Sequence, residues 1–154
     1  MTLEQINFAT ITHTDPVDLG YDVTARWIAP GRIFQTTLHS MAPESIDTYI
    51  ATNLQLTENW DSRYPMLILN DLSAPTITMT PYFRNELKRI ARTAQEAPMD
   101  THAAIVLQNG IVHQMMKLFA LTFGRLSDSK QQFFTDYDDA VASLHALREA
   151  HNAD

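Results

Sequence analysis

The chain contains no cysteine. That removes disulfides, thiolate nucleophiles, iron–sulfur ligation and the common structural zinc sites from its chemistry. Only four of its 154 residues are glycine, and Asn109-Gly110 is a lone turn, without the glycine-rich run that cradles a pyrophosphate. No apolar stretch approaches the length needed to span a bilayer, and the start Met1-Thr2-Leu3-Glu4-Gln5-Ile6 lacks the basic residues and apolar run of a secretory signal. A cytoplasmic protein with no membrane span is expected. Lys and Arg number 11 against 18 Asp and Glu, for a net charge of −7. Such a surface repels phosphate backbones, because nucleic-acid affinity rests on cations that displace counterions. No nucleic-acid partner is expected.

The usual catalytic and metal-binding patterns are missing too. His13, His39, His102, His113, His145 and His151 show neither the i, i+4 pairing nor the flanking carboxylates of a zinc helix. His113 begins an apolar helix beside Gln114 and is read as an ordinary hydrogen-bonding histidine. Asp136-Tyr137-Asp138-Asp139 lacks the central glycine and terminal glutamate of a calcium loop and reads as helix capping. No metal, no cofactor and no catalytic residue is expected.

What is present is a regular alternation of elements. Residues 1–20 form an N-terminal extension, in which Ile6-Asn7-Phe8-Ala9-Thr10-Ile11 has the β-branched and aromatic content of an edge strand. Residues 21–150 form one α/β domain, and 151–154 a tail. The domain opens on a hairpin, with strands over 23–28 and 32–38 joined at Ala29-Pro30-Gly31: proline presets the turn and glycine accepts a positive φ.

Pro43 and Glu44 start a helix whose inner face is Ile46, Tyr49, Ile50 and Leu54. Met66-Leu67-Ile68-Leu69 and Ala103-Ala104-Ile105-Val106-Leu107 are short continuous apolar runs, as buried parallel strands require. Between them, Thr80-Pro81 starts a helix with an apolar face of Phe83, Leu87, Ile90, Ala91 and Ala94. Arg84, Lys88, Arg89 and Arg92 make a basic stripe on that helix, read as a solvated face. A helix over 111–123, ended by Gly124, is apolar around much of its circumference. A short strand at Gln132-Phe133-Phe134 follows, then a helix capped by Asp136. The order β-β-α-β-α-β-α-β-α predicts an N-terminal hairpin followed by parallel strands with right-handed helical crossovers, in one mixed sheet.

Three segments carry a resemblance: Pro30-Gly31-Arg32-Ile33-Phe34, Asn70-Asp71-Leu72-Ser73, and residues 134–141 from Phe134 to Val141. With the element order over residues 22–148, they make the chain resemble the STAS-like domains, the anti-sigma-factor antagonist fold, and among them the small bacterial proteins without known activity. The resemblance implies a STAS-like mixed sheet and a non-enzymatic signalling or protein-interaction role. In the signalling members an Asp-Ser-Ser-Gly run after the central strand carries a phosphorylatable serine. This chain has Met79-Thr80-Pro81-Tyr82 there, so no inherited phospho-switch is expected.

Two candidate sites follow. Loops at the carboxyl ends of parallel strands are where α/β sheets bind ligands, which singles out Asp71, Ser73, Thr78 and Thr80 for a ligand or a phosphate. For Thr80 a plain N-cap is the reading we favour over a phosphate site. The second candidate is Met115, Met116, Leu118 and Phe119 on the apolar helix, as a homodimer or other protein interface or as the wall of a pocket. A self-associating interaction module is the first expectation. A carrier or sensor of a small apolar or lipid-like ligand, bound between this helix and the sheet, is the alternative, and full burial of the helix stays open beside both.

Overall fold

The computed structural model describes residues 5–12, 15–123 and 130–153. Its centre is a six-stranded sheet in which spatial order equals chain order: β1 (Val17–Gly20), β2 (Val23–Ala29), β3 (Ile33–Leu38), β4 (Met66–Leu72), β5 (Thr101–Leu107) and β6 (Gln131–Phe134). β1, β2 and β3 pair antiparallel, and β3 through β6 pair parallel. The mixed α/β sheet expected from the alternation is the sheet observed.

Turn chemistry explains the antiparallel part. Between β2 and β3, Arg32 N donates to Ala29 O at 2.9 Å across Pro30 and Gly31, and Gly31 has φ 70. This is the type II arrangement, proline first and a positive φ second. Between β1 and β2 the turn is built on Gly20, Tyr21 and Asp22, with φ of 93, 51 and 62. Two non-glycine residues in the left-handed region match the right-handed twist of a hairpin, at a backbone cost that glycine would avoid.

The crossover helices are α1 (Pro43–Asn59), α2 (Pro81–Glu96) and α3 (Asn109–Phe123). Each joins a strand to its next neighbour in the same direction, so right-handed connections bring all three to one face. The core bears this out. Leu38, Leu72, Ile105 and Leu107 meet Ile46, Tyr49 and Ile50 of α1, Phe83 and Leu87 of α2, and Met115 of α3. Residues of opposite parity, Ile33, Leu67, Leu69, Ala104 and Val106, meet Ala140 and Leu144 of α4 (Tyr137–Ala153) on the other face.

Three local expectations change. Residues 6–11 are not a strand: Phe8–Thr10 form a 3-10 turn, with the Asn7 side chain accepting from Ala9 N at 3.1 Å. Its turn spacing lets Phe8 and Ile11 both enter the core. The edge strand is instead Val17–Gly20, held by β2. The tail expected at 151–154 is helical through Ala153. On α1, Leu54 packs half-buried against the core beside Ile46, Tyr49 and Ile50, but the inner face is wider than expected: Leu56 is buried too, along with Ser45, Thr48, Thr52 and Asn53. Thr48, Thr52 and Asn53 turn inward because their side chains bond the helix's own carbonyls: Thr48 to Glu44 O, Thr52 to Thr48 O, and Asn53 to Tyr49 O. The expected helix stop at Gly124 lies outside the described residues.

Candidate functional site

The loop after β4 is tied down by its own polar groups. Asp71 Oδ1 accepts from Ser73 N at 3.1 Å and from Ser73 Oγ at 2.6 Å, closing the strand end as an Asx turn. Thr80 is the N-cap of α2, its hydroxyl accepting from Phe83 N at 3.2 Å, with Pro81 in the first turn. Thr78 is exposed and its carbonyl accepts from Thr80 N. Thr76 donates to His39 O at 3.1 Å and Gln108 donates to Ala74 O at 2.6 Å, anchoring the loop to the ends of β3 and β5. The four residues picked out by the sequence thus lie along one connection, Asp71 at the end of β4, Ser73 and Thr78 in the loop, and Thr80 at the start of α2. Asp71, Ser73 and Thr80 are already engaged in shaping it.

Beneath this loop lies Tyr49, fully buried, with no hydrogen-bond partner for its hydroxyl. Burial, helped by the nearby Asp71 charge, pushes the phenol far up, so it stays neutral. Asn53 Oδ1 and Asn70 Oδ1 are likewise buried and unpaired.

On the α4 face, register brings together a polar row that sequence reading missed. Thr24 pairs with Thr37 and Thr37 with Asp71; one row further, Arg26 pairs with Gln35. Tyr137, the first residue of α4, donates to Gln35 Oε1 at 2.6 Å and accepts from Arg26 Nη2. Gln35 Nε2 then donates to Thr37 Oγ1 at 3.1 Å. The detectable signal is the alternation itself: Thr24 and Arg26, Gln35 and Thr37 occupy one parity in strands whose other parity is mainly apolar. The network clamps α4 to the hairpin. Among the described residues no hydrogen bond joins Asp71, Thr80 and His113 into an acid–base system, and no three acidic or histidine side chains gather as a metal site.

The chain matches no family model, no curated protein and no solved structure.

The apolar candidate does not form one surface. Met115 is 0% exposed and sits in the core, and Leu118 packs partly against that core, whereas Met116 is 39% exposed. The Phe119 side chain lies outside the described part. Among the described side chains of α3, the most exposed large apolar one is Leu121, at 77%. At 3.6 residues per turn, Met116 and Leu121 point about 140° apart around the helix. Leu121 belongs instead to a groove of about 310 Å³ between α2 and α3, lined by Met79, Arg84, Gln114, Lys117, Leu118 and Leu121. Neither Arg84 nor Lys117 has an ion-pair partner among the described residues.

The amino ends of the strands carry the other polar cluster. Asp100 takes Lys130 and His102, the latter at 2.7 Å; burial pushes its carboxyl up, but these two hydrogen bonds outweigh it and hold it below the usual range. Arg63 grips Asp61 through two nitrogens and holds its carboxyl down at about 2. The Arg32 guanidinium lies 3.2 Å from the Tyr64 ring centroid, and His151 meets the same ring edge-on at 6.3 Å. A cavity of about 450 Å³ opens here, with Arg63, Tyr64, Asp100, His102 and His151 in its wall.

Proposed function

We propose that this chain is a non-enzymatic, STAS-like regulatory interaction module that self-associates through the α2–α3 face. The observation that carries the reading is Leu121, 77% exposed at a groove floored by Met79 and Leu118. An apolar side chain so placed gains most when a second surface removes it from water. The element order and the Asn70-Asp71-Leu72-Ser73 strand end support the family resemblance. The turn and cap roles of Asp71 and Thr80 support binding in place of chemistry.

Size-exclusion chromatography with light scattering tests this. The wild-type chain is expected to be a dimer and Leu121→Glu a monomer with an unchanged circular dichroism spectrum. A two-fold interface repeats the same patch on both copies, so Arg84 and Lys117 face like charges and salt tightens the dimer. A strictly monomeric wild type that captures no partner removes the reading, and association weakened by salt points to an acidic partner protein instead.

A second reading, the carrier or sensor of an apolar ligand, keeps one supporting feature. Met115 fills the room between α3 and the sheet, but the α2–α3 groove combines an apolar floor with two cations, which suits an amphipathic anion. A thermal-shift titration with dodecanoate is expected to raise the melting temperature if this reading holds, and a flat response removes it.

A further inference from the structure

The wall of the α2–α3 groove holds two cations and no carboxylate: Arg84 and Lys117 stand there with Met79, Gln114, Leu118 and Leu121. Elsewhere on the chain Arg63, Arg89 and Lys130 each reach a carboxylate, at Asp61, Glu86 and Asp100. Arg84 and Lys117 are exposed and reach none among the described residues. The α3 sequence from Asn109 to Phe123 has no acidic residue to offer them. Arg84, Lys88 and Arg92 recur at i, i+4 and i+8 along α2, so the positive field runs on from the groove. In a chain of net charge −7, this is a local reversal of sign set around an apolar floor.

Self-association through this face doubles the arrangement. A two-fold axis repeats the same patch on both copies, so two Arg84 and two Lys117 side chains are drawn around one apolar seam. As water leaves the seam the effective dielectric falls, and repulsion among the four cations grows. Burial of Leu121 favours the contact while the cations oppose it. An anion lying between the copies turns that opposition into attraction. The guanidinium selects the kind of anion: its planar fork of donors matches the oxygens of a phosphate, and two copies supply two forks. A chloride ion screens charge but presents no pair of oxygens to a fork.

We propose that the α2–α3 interface holds a dianionic phosphate group that bridges Arg84 and Lys117 of one copy to the same two residues of the other, so that phosphate ties the pair together. The site is incomplete in a single copy, which couples its occupancy to assembly. The inference rests on self-association through this face and adds to it the ligand that stabilises the pair.

Sedimentation equilibrium measures the dimer dissociation constant directly. At fixed, slightly alkaline pH and fixed ionic strength, replacing part of the chloride by inorganic phosphate should tighten the wild-type dimer saturably and about tenfold, the worth of one hydrogen bond to a charged group. Phenyl phosphate is the second arm. A response no greater than that to inorganic phosphate identifies a site for the free ion, and a stronger one identifies a monoester whose organic part meets Leu118 and Leu121. Arg84→Gln combined with Lys117→Gln, both at exposed positions, should make the dimer tighter in chloride and insensitive to phosphate. Lys88→Gln, outside the groove wall, should keep the full response. The ³¹P line of inorganic phosphate should broaden with wild type and stay sharp with Leu121→Gln, which weakens the contact without adding charge. Equal dissociation constants in chloride and phosphate, a phosphate effect that survives the double glutamine variant, or equal ³¹P broadening by Leu121→Gln overturns the proposal and leaves self-association standing. A chain that stays monomeric in both salts overturns self-association and this site together.

Discussion

At the carboxyl ends of the parallel strands, Asp71 closes the turn to Ser73 and Thr80 caps α2, whereas at the amino ends Trp60 keeps a buried N–H without an acceptor beside an open cavity. The general rule places ligands at carboxyl ends because helix N-termini there present free N–H donors. In this chain Thr80 takes up one of those donors and Pro81 removes another, so much of the usual reason for binding is spent on the fold. The amino end gathers its polar groups differently. Asp61 and Asp100 are locked in charged pairs, and the space left between the hairpin, the 3-10 turn and α1 is walled by aromatic rings. The contrast teaches that position relative to the strands is a weaker guide to a site than the list of groups the fold leaves both unpaired and within reach, as it does Arg84 and Lys117 in the α2–α3 groove.

Four measurements sharpen or break this contrast. The largest effect belongs to the layer that supports the carboxyl-end loop: Phe83→Ala, at a fully buried position, should cost about 3 to 5 kcal/mol by urea denaturation. A loss below about 1 kcal/mol would mean that this end is not the rigid one. Thr80→Ala should cost about 1 kcal/mol, with Thr80→Ser restoring most of it, if the hydroxyl serves only as a cap. A neutral Thr80→Ala would free the hydroxyl for a ligand and reverse the contrast.

Tyr49→Phe removes a buried hydroxyl that has no partner and should leave stability unchanged or raise it by up to about 1 kcal/mol. A marked loss would show that the hydroxyl is bonded after all. The smallest effect is electrostatic and confined to the amino end. Asp61 has its carboxyl lowered from 3.8 to about 2 by Arg63. A depressed folded-state value means that its stabilisation is present above pH 3.8 and is lost as pH falls through about 2. The urea midpoints of wild type and Asp61→Asn should differ slightly at pH 5 and converge toward pH 2, and a constant gap across that range would break the assignment.

Much of the fold is legible residue by residue. Met66 to Leu69 and Ala103 to Leu107 announce parallel strands because both faces must be apolar. Pro30-Gly31 and Thr80-Pro81 announce a turn and a helix start through the φ each residue accepts. The edge strand escapes this reading because Val17-Asp18-Leu19-Gly20 has little strand character. It pairs because β2 offers a free edge and Tyr21 and Asp22 tolerate positive φ. The faces of α3 escape it as well. An apolar helix of Met, Leu and Phe carries no mark that separates Met115, pressed on the sheet, from Leu121, left in water.

The candidate sites divide along the same line. Asp71, Ser73, Thr78 and Thr80 could be grouped in advance because they are close in sequence, and local turn and cap geometry follows from neighbours a few residues away. The Arg26–Tyr137–Gln35 network and the α2–α3 groove join residues that only the assembled sheet brings together. Periodicity, turn chemistry and capping act within a single element, so the amino-acid order dictates them directly. Whether a hydroxyl or an indole N–H ends with a partner depends on which distant segments arrive beside it, and that is decided only when the layers close.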